Sequence, residues 1–294
     1  MDYEDLIKEK SWSKHSIGLS GCRSSETFFD SCDYDVTIFD GTSQNDEIFE
    51  FQKNLINVHH GSFSESCSKK LIQYHNMKII HDESWELGIF LAKIKAKHML
   101  LYQDFAKNSL IESIFCCQKT KNSIKESSVF APCWQKCAAF FLSEGILALN
   151  HFKPSPTHML DLLRRLEKTP INEKILTVNE TVGIERATPS LLERMLKSTI
   201  GFSKMVEQND HFLEIQRKYD FLVQNSMLAD CYFYLGYINK ENFVKIKDSV
   251  EKQPDLYHIL KISFDVEADL SLLEQQANKV QKSASEILEL VSNG

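Results

Sequence analysis

The sequence predicts an α+β fold, a small mixed sheet followed by a larger, mostly helical part, and three observations carry the prediction. Short β-type runs alternate with short helical pieces through residue 83, the pattern of a unit built around a sheet. From Ser84 onward the apolar spacing changes to threes and fours, as in Trp85, Ile89, Leu91, Ile94, Met99 and Tyr102, which is the period of an amphipathic helix. A chain of 294 residues is long enough for two domains. The boundary therefore falls at residues 83 and 84, with a sheet domain over 1–83 and a helical domain over 84–294.

Within the first domain the β-type runs are Ser16 to Ser20, Tyr34 to Phe39, a hairpin from Glu47 to His60 that turns near Lys53-Asn54, and Met77 to His81. The second domain opens with the helix that carries Trp85 to Tyr102. Further helical spacing runs over about 107–123, 130–151, 156–168, 189–207, 210–235, 240–251 and 266–291. Ser155-Pro156 and Thr188-Pro189 each put a capping hydroxyl ahead of a proline at the first helical position, where the missing N–H costs nothing. The last of these helices lines Leu270, Leu273, Ala277, Val280, Ile287 and Leu290 along one side, a stripe suited to its own domain or to a partner helix, a homodimer included.

Composition is that of an ordinary globular chain, with 43% hydrophobic and 26% charged residues. The formal net charge of -7 gives the whole molecule no attraction for a polyphosphate backbone, so a small ligand is favoured over RNA. The N-terminal Met-Asp-Tyr-Glu-Asp has acids where a secretory signal has a basic region. The most apolar stretch, Phe130 to Phe152, is interrupted by Gln135, Lys136, Ser143, Glu144 and Asn150 and reads as a core helix with no membrane role. Eight cysteines without an export signal read as reduced thiols in a cytoplasmic protein.

The chemistry-bearing run is Ile17-Gly-Leu-Ser-Gly21-Cys22-Arg23-Ser24-Ser25, then Asp33-Tyr-Asp35-Val-Thr-Ile at the entrance of a strand. Side chains alternate along a strand, so Asp33 and Asp35 share a face and converge. Two convergent carboxylates repel until a cation neutralises them, and Mg²⁺ does so with oxygen ligands while also bridging nucleotide phosphates. Gly21 lies twelve residues before Asp33, after a short strand, where a turn can offer N–H groups to an anion.

This glycine turn, followed by a polar segment and then Asp33-x-Asp35, resembles the signature of polymerase-beta-type nucleotidyltransferases over roughly residues 14 to 83. The resemblance implies a minimal nucleotidyltransferase domain followed by a helical one, with Asp33 and Asp35 as metal-binding and catalytic residues. It implies that Gly21, Cys22, Arg23, Ser24 and Ser25 contact the triphosphate of the nucleotide substrate, ATP, with Mg²⁺ as cofactor. Its expected reaction passes a nucleoside monophosphate to an acceptor, a small molecule being favoured over RNA. The chain departs from the family in two places: Cys22 replaces the serine after the glycine, and Leu55-Ile-Asn57-Val-His59-His60 holds no acid where a third carboxylate belongs. His59 or Asp82 would then have to complete the site. The alternative is a regulatory or nucleotide-binding protein that keeps the fold without transfer.

The remaining constellations read more simply. Asp82 sits where an N-cap would begin the first long helix. Lys93, which shares a helix face with Lys97, and Lys136, one turn from Trp134, are basic candidates for the triphosphate, although a solvated helix face is the commoner use of such lysines. Cys116, Cys117, Cys133 and Cys137 match no common zinc spacing and read as small apolar core residues. Trp134, Phe140, Phe141, Tyr232, Phe233, Tyr234 and Tyr237 recur at helical spacing and read as core.

Overall fold

The computed structural model describes residues 1–25, 28–42, 46–207, 211–266 and 269–293. Its fold is α+β, as the sequence predicts. In chain order the elements are α1 (Tyr3–Lys10), β1 (Ser16–Ser20), β2 (Tyr34–Phe39), β3 (Glu47–Phe51), β4 (Asn54–His60), α2 (Ser68–Leu71), β5 (Lys78–His81), α3 (Glu86–Ala96) and α4 (His98–Lys125). Then follow α5 (Ala131–Leu149), α6 (Met159–Arg164), α7 (Ile175–Val182), α8 (Pro189–Glu207), α9 (His211–Gln224), α10 (Leu228–Lys245), α11 (Leu256–Ser263) and α12 (Leu270–Asn293). Two compact units emerge, one of Met1–Tyr102 with Asn209–Lys218, the other of Gln103–Gln208 with Tyr219–Gly294.

The first unit is built on a five-stranded mixed sheet of order β3-β4-β2-β1-β5. Only β2 and β4 run parallel; the other pairs are antiparallel. The β3–β4 hairpin turns on Gln52 and Lys53, both left-handed at φ 48° and 64°, which matches the twist of the flanking strands. Alternation divides the residues between two cores. Val36, Ile38, Ile56 and Val58 face a cluster with Leu6 and Ile7 of α1. Phe39 faces the opposite cluster, with Leu87, Phe90 and Ile94 of α3. By the same alternation Asp35 and Thr37 lie on the α3 face with Phe39, so strand period settles which side Asp35 takes, whereas Asp33 precedes the strand.

Helix α1 is an element that apolar spacing does not announce. The Asp2 carboxylate accepts the N–H groups of Glu4 at 2.9 Å and Asp5 at 3.2 Å, an N-cap, and the acids of the first turn complement the helix dipole. Left-handed Ser11 ends the helix. Burial of Leu6 and Ile7 contributes about 1.5–3 kcal/mol each, enough to hold a helix too short to stand alone.

In the second unit α5 is the central helix, its residues Ala131 to Ala148 all buried. Gln135, Lys136, Ser143 and Glu144 inside it each make at least one hydrogen bond or ion pair, while Trp134 Nε1 and Gln135 Oε1 are buried without a partner. Lys136 Nζ donates to Val182 O at 2.9 Å and Tyr232 Oη at 3.1 Å, and Gln135 donates to Gln276 of α12. Ser143 donates to Phe140 O at 2.6 Å, and Glu144 binds Lys240 of α10 at 2.7 Å. The aromatic residues Trp134, Phe140, Phe141, Tyr232, Phe233, Tyr234 and Tyr237 are core residues, as their spacing predicts. Among the described residues no helix is long and apolar enough to cross a membrane.

Several helix expectations need correction. The run over 210–235 is two helices, because left-handed Ser226 at φ 58° breaks it; α10 then continues through the residues expected to begin a separate helix at 240. Thr188-Pro189 does open α8, with Leu191 N donating to Thr188 Oγ1 at 3.3 Å. Pro156 instead stands in a turn, and α6 begins three residues later behind His158. Helices α7 and α11 are eight residues each, too short for the period to stand out from chance.

Candidate functional site

Chemistry concentrates at the entrance of β2, within the sheet unit. Antiparallel pairing sets Ser20 opposite Asp35, and the parallel pairing with β4 sets Asn57 opposite Asp35 and His59 opposite Thr37. Three adjacent strands thus deliver Ser20, Asp35, Asn57 and His59 to one end of one face. Gly21 follows β1 with φ 67° and ψ −158°, a conformation that favours glycine. A Cβ on it would lie 1.6 Å from Asp35 Oδ2. The turn can approach the carboxylate only because residue 21 has no side chain.

Asp33 is 3% exposed, and its Oδ1 lies 2.8 Å from Lys218 Nζ of α9. The same ammonium contacts Glu214, and Glu214 Oε2 meets His211 Nδ1 at 3.2 Å. Asp35 Oδ1 receives His59 Nε2 at 3.4 Å and Asn57 Nδ2 at 3.4 Å. From the other side of the imidazole, His59 Nδ1 lies 2.8 Å from Asp46 Oδ2. Four carboxylates, those of Asp33, Asp35, Asp46 and Glu214, are therefore held together by one ammonium and two imidazoles.

The electrostatics differ sharply across this cluster. Burial, then the charges of Asp35 and Glu214, push the Asp33 carboxyl upward against the opposing ammonium of Lys218. Burial acts on Asp35 in the same sense, but the His59 hydrogen bond and charge outweigh it and hold that carboxyl below its ordinary value. For His59, burial opposes the proton, yet Asp35 and Asp46 on its two nitrogens prevail and raise it to about 10. His59 is consequently a cation at neutral pH and a donor on both nitrogens, which leaves it no lone pair for general-base work.

Beside Lys218 and His59, which engage Asp33 and Asp35 in this structure, the neighbourhood holds oxygen atoms of the kind a hard cation takes. Asp33 and Asp35 offer carboxylate oxygens, and Asn57 Oδ1 is buried without a hydrogen-bond partner. An orphaned buried acceptor beside a carboxylate is costly, and a cation that takes oxygen ligands relieves it. Asn57 thus stands on β4 where the strand was expected to lack an acid.

The other predicted residues are placed as follows. Arg23 donates from Nε to Cys32 O at 3.0 Å and from Nη2 to Asp30 O at 2.9 Å, and its guanidinium covers Phe28 and Tyr34. Ser24 and Ser25 donate to Gly21 O at 2.8 Å and Cys22 O at 2.7 Å. These three side chains build the turn, together with the backbone bonds Ser24 N to Gly21 O at 3.3 Å and Ser25 N to Cys22 O at 3.0 Å. Asp82 accepts from Gly88 N at 2.8 Å, Leu87 N at 3.3 Å and Ser16 Oγ at 2.8 Å, so it caps α3 as expected, although Trp85 holds the formal cap position. Lys93 lies on the solvated face of α3. Lys136 is enclosed in the helical unit, where burial lowers it to about 8.

Sequence reasoning missed Asp46, His211, Glu214 and Lys218. The last three carried one usable signal: His211, Glu214 and Lys218 fall at helical three-and-four spacing, which makes one charged face. Nothing in that spacing says which acid the face meets. No family model and no characterised protein matches the chain.

Proposed function

We propose that the chain is a Mg²⁺-dependent nucleotidyltransferase that passes a nucleoside monophosphate, with ATP as the expected donor, to a small hydroxyl or amine acceptor in the cytoplasm. The observation that carries this reading is the close approach of the Gly21 turn to Asp35, whose carboxylate a Cβ at that position would overlap. An anion cradle and a cation seat thereby share one wall. Asp33, Asp35 and the orphaned Asn57 oxygen would hold the metal, which when bound neutralises phosphate charge and polarises the transferred phosphoryl group.

The protein groups then have distinct tasks. The Gly21 turn orients the triphosphate through backbone N–H groups. Lys218, which balances Asp33 and Glu214 in this structure, is a cation at hand for phosphate oxygens once the acids are otherwise neutralised. His59, charged and braced by Asp46, steadies Asp35 and donates a hydrogen bond. Positioning and electrostatics, with little covalent chemistry by the protein, are the usual means of phosphoryl-group catalysis.

A second reading rests on Asn57 and His59. With a neutral amide at the β4 position and a protonated imidazole beside it, the acceptor finds no base on that strand. The alternative is a regulatory protein that binds nucleotide without transfer. ATP labelled at the α-phosphate, incubated with the protein, Mg²⁺ and a cell extract as acceptor, separates the two. Label transfer that vanishes in Asp33→Ala and Asp35→Ala supports the enzyme; binding without transfer supports the regulator. Failure to bind ATP at all defeats both.

A further inference from the structure

Two cysteines bracket the site just described. Cys22 directly follows Gly21, and Cys32 directly precedes Asp33. Their sulfurs lie within 4.8 Å of each other, and the two side chains are hydrogen-bonded. Cys32 is 1% exposed, whereas Cys22 is half-buried and the more exposed of the two. The segments that carry them are already tied by the guanidinium of Arg23, which donates to Cys32 O and Asp30 O. The thiols are therefore held near each other by contacts that do not depend on them.

The other cysteines lack this combination. Cys116, Cys117, Cys133, Cys137 and Cys231 are buried in the helical unit, and Cys67 is exposed. Burial shields the first group from thiol reagents.

We propose that Cys22 and Cys32 are a reversible modification site, oxidised to an intramolecular disulfide by thiol–disulfide exchange with a low-molecular-weight disulfide. The more exposed Cys22 thiolate attacks the reagent and forms a mixed disulfide, releasing one small thiolate. The Cys32 thiol, which the Cys22 hydrogen bond and burial push well above its ordinary value, then attacks Cys22 Sγ and gives up its proton to the departing small thiolate, forming the Cys22–Cys32 bond and releasing the second small thiol. The protein loses two electrons and two protons; the reagent is reduced to two thiols.

The bond has a consequence for the neighbouring acids, and this part rests on the nucleotide reading. A disulfide requires sulfurs about 2.05 Å apart, so the bond fixes the turn that carries Cys22 to the segment that carries Cys32. Gly21 belongs to that turn and already abuts Asp35. Tied to the segment before β2, the turn can no longer draw away from Asp35 to admit a triphosphate, and oxidation lowers nucleotide binding.

The test equilibrates the full-length protein in glutathione buffers from fully reduced to mostly oxidised, quenches with acid, alkylates, and maps the products by mass spectrometry. Two of the eight cysteines should lose alkylation together, a Cys22–Cys32 linked peptide should appear, and dithiothreitol should reverse both. Cys32→Ser should abolish the linked peptide and leave a glutathione adduct on Cys22. Both thiols remaining alkylatable, or a Cys22 adduct without a link in the unsubstituted protein, overturns the proposal. The thermal shift given by Mg²⁺ and ATP should fall on oxidation and return on reduction. A linked protein that keeps its full shift refutes the coupling, whereas a link in a protein that shows no shift even when reduced leaves the modification site standing and defeats the nucleotide reading.

Discussion

Lys218→Met offers the sharpest check on the acid cluster, because methionine keeps most of the stem and deletes only the ammonium. Lys218 and Asp33 have side chains 7% and 4% exposed and Glu214 15%, so the variant leaves two carboxylates in a poorly solvated pocket. Removal of one partner from a buried ion pair costs about 3–5 kcal/mol. Asp33, which burial and the neighbouring acids already push up to about 7, can take up a proton in the variant, so the cost falls mainly on Glu214, left with His211 as its cationic partner. At about 4–8 °C per kcal/mol for a unit of this size, the sheet unit should melt at least ~10 °C lower. If Asp33 and Asp35 form a cation seat, Mg²⁺ should recover much of the loss, since a ligand at a hundred times its Kd contributes about 2.7 kcal/mol. In the unsubstituted protein the ammonium competes for Asp33, so the Mg²⁺ effect should be smaller. Differential scanning fluorimetry with Mg²⁺ titration measures both. A Mg²⁺ response equal in the two proteins, or one that persists when Asp33→Ala is added, would refute the seat.

Further expectations concern stability and the turn. Gly21→Ala places a methyl 1.6 Å from Asp35 Oδ2 at positive φ, which should cost on the order of 1–3 kcal/mol and abolish the ATP-induced thermal shift; retained binding would remove the turn from the site. Lys240→Met strips the cation from Glu144 and Glu241, at 2.7 and 2.6 Å, and should destabilise the helical unit by about 3–5 kcal/mol in chemical denaturation, with partial recovery on adding Glu144→Gln. No recovery would show that the ammonium, and not the unpaired acid, matters. Burial pushes Cys117 and Cys231 up to about 12 and Cys116, Cys133 and Cys137 upward as well. These thiols stay protonated in the folded chain but ionise in the unfolded one, so their stabilisation is present below about pH 8.5 and is lost above it at roughly 1.4 kcal/mol per thiol per pH unit. Lys136, lowered to about 8, acts oppositely between pH 8 and its unfolded value and offsets about one thiol. Urea midpoints should therefore fall steeply from pH 8 to pH 10; a flat profile would mean the thiols are not enclosed.

Much of the fold was legible because it is written locally. The strands around Ile17, Val36, Phe49, Val58 and Ile80 were visible as β-type runs, and the core helix as a continuous apolar surface interrupted by residues that later proved to be paired. Lys136 shows the limit of that reading. As a lysine on a helix it was a candidate for phosphate, yet its surroundings, Val182 and Tyr232, come from α7 and α10, and only their convergence makes it a core residue. Helix α1 escaped notice because eight residues span little more than two turns, too few for a period to show.

By itself the sequence determined the α+β class, the strand over Tyr34–Phe39 that carries Asp35 and follows directly on Asp33, and the glycine turn that meets Asp35, all consequences of backbone geometry over a few residues. Only tertiary structure decided what meets those acids. Lys218, Glu214 and His211 reach the cluster from nearly two hundred residues further along the chain, and Asp46 reaches it through the ring of His59. Contacts between distant segments are chosen by packing and by the need of buried charge for a partner, and a linear pattern states that need without naming the partner.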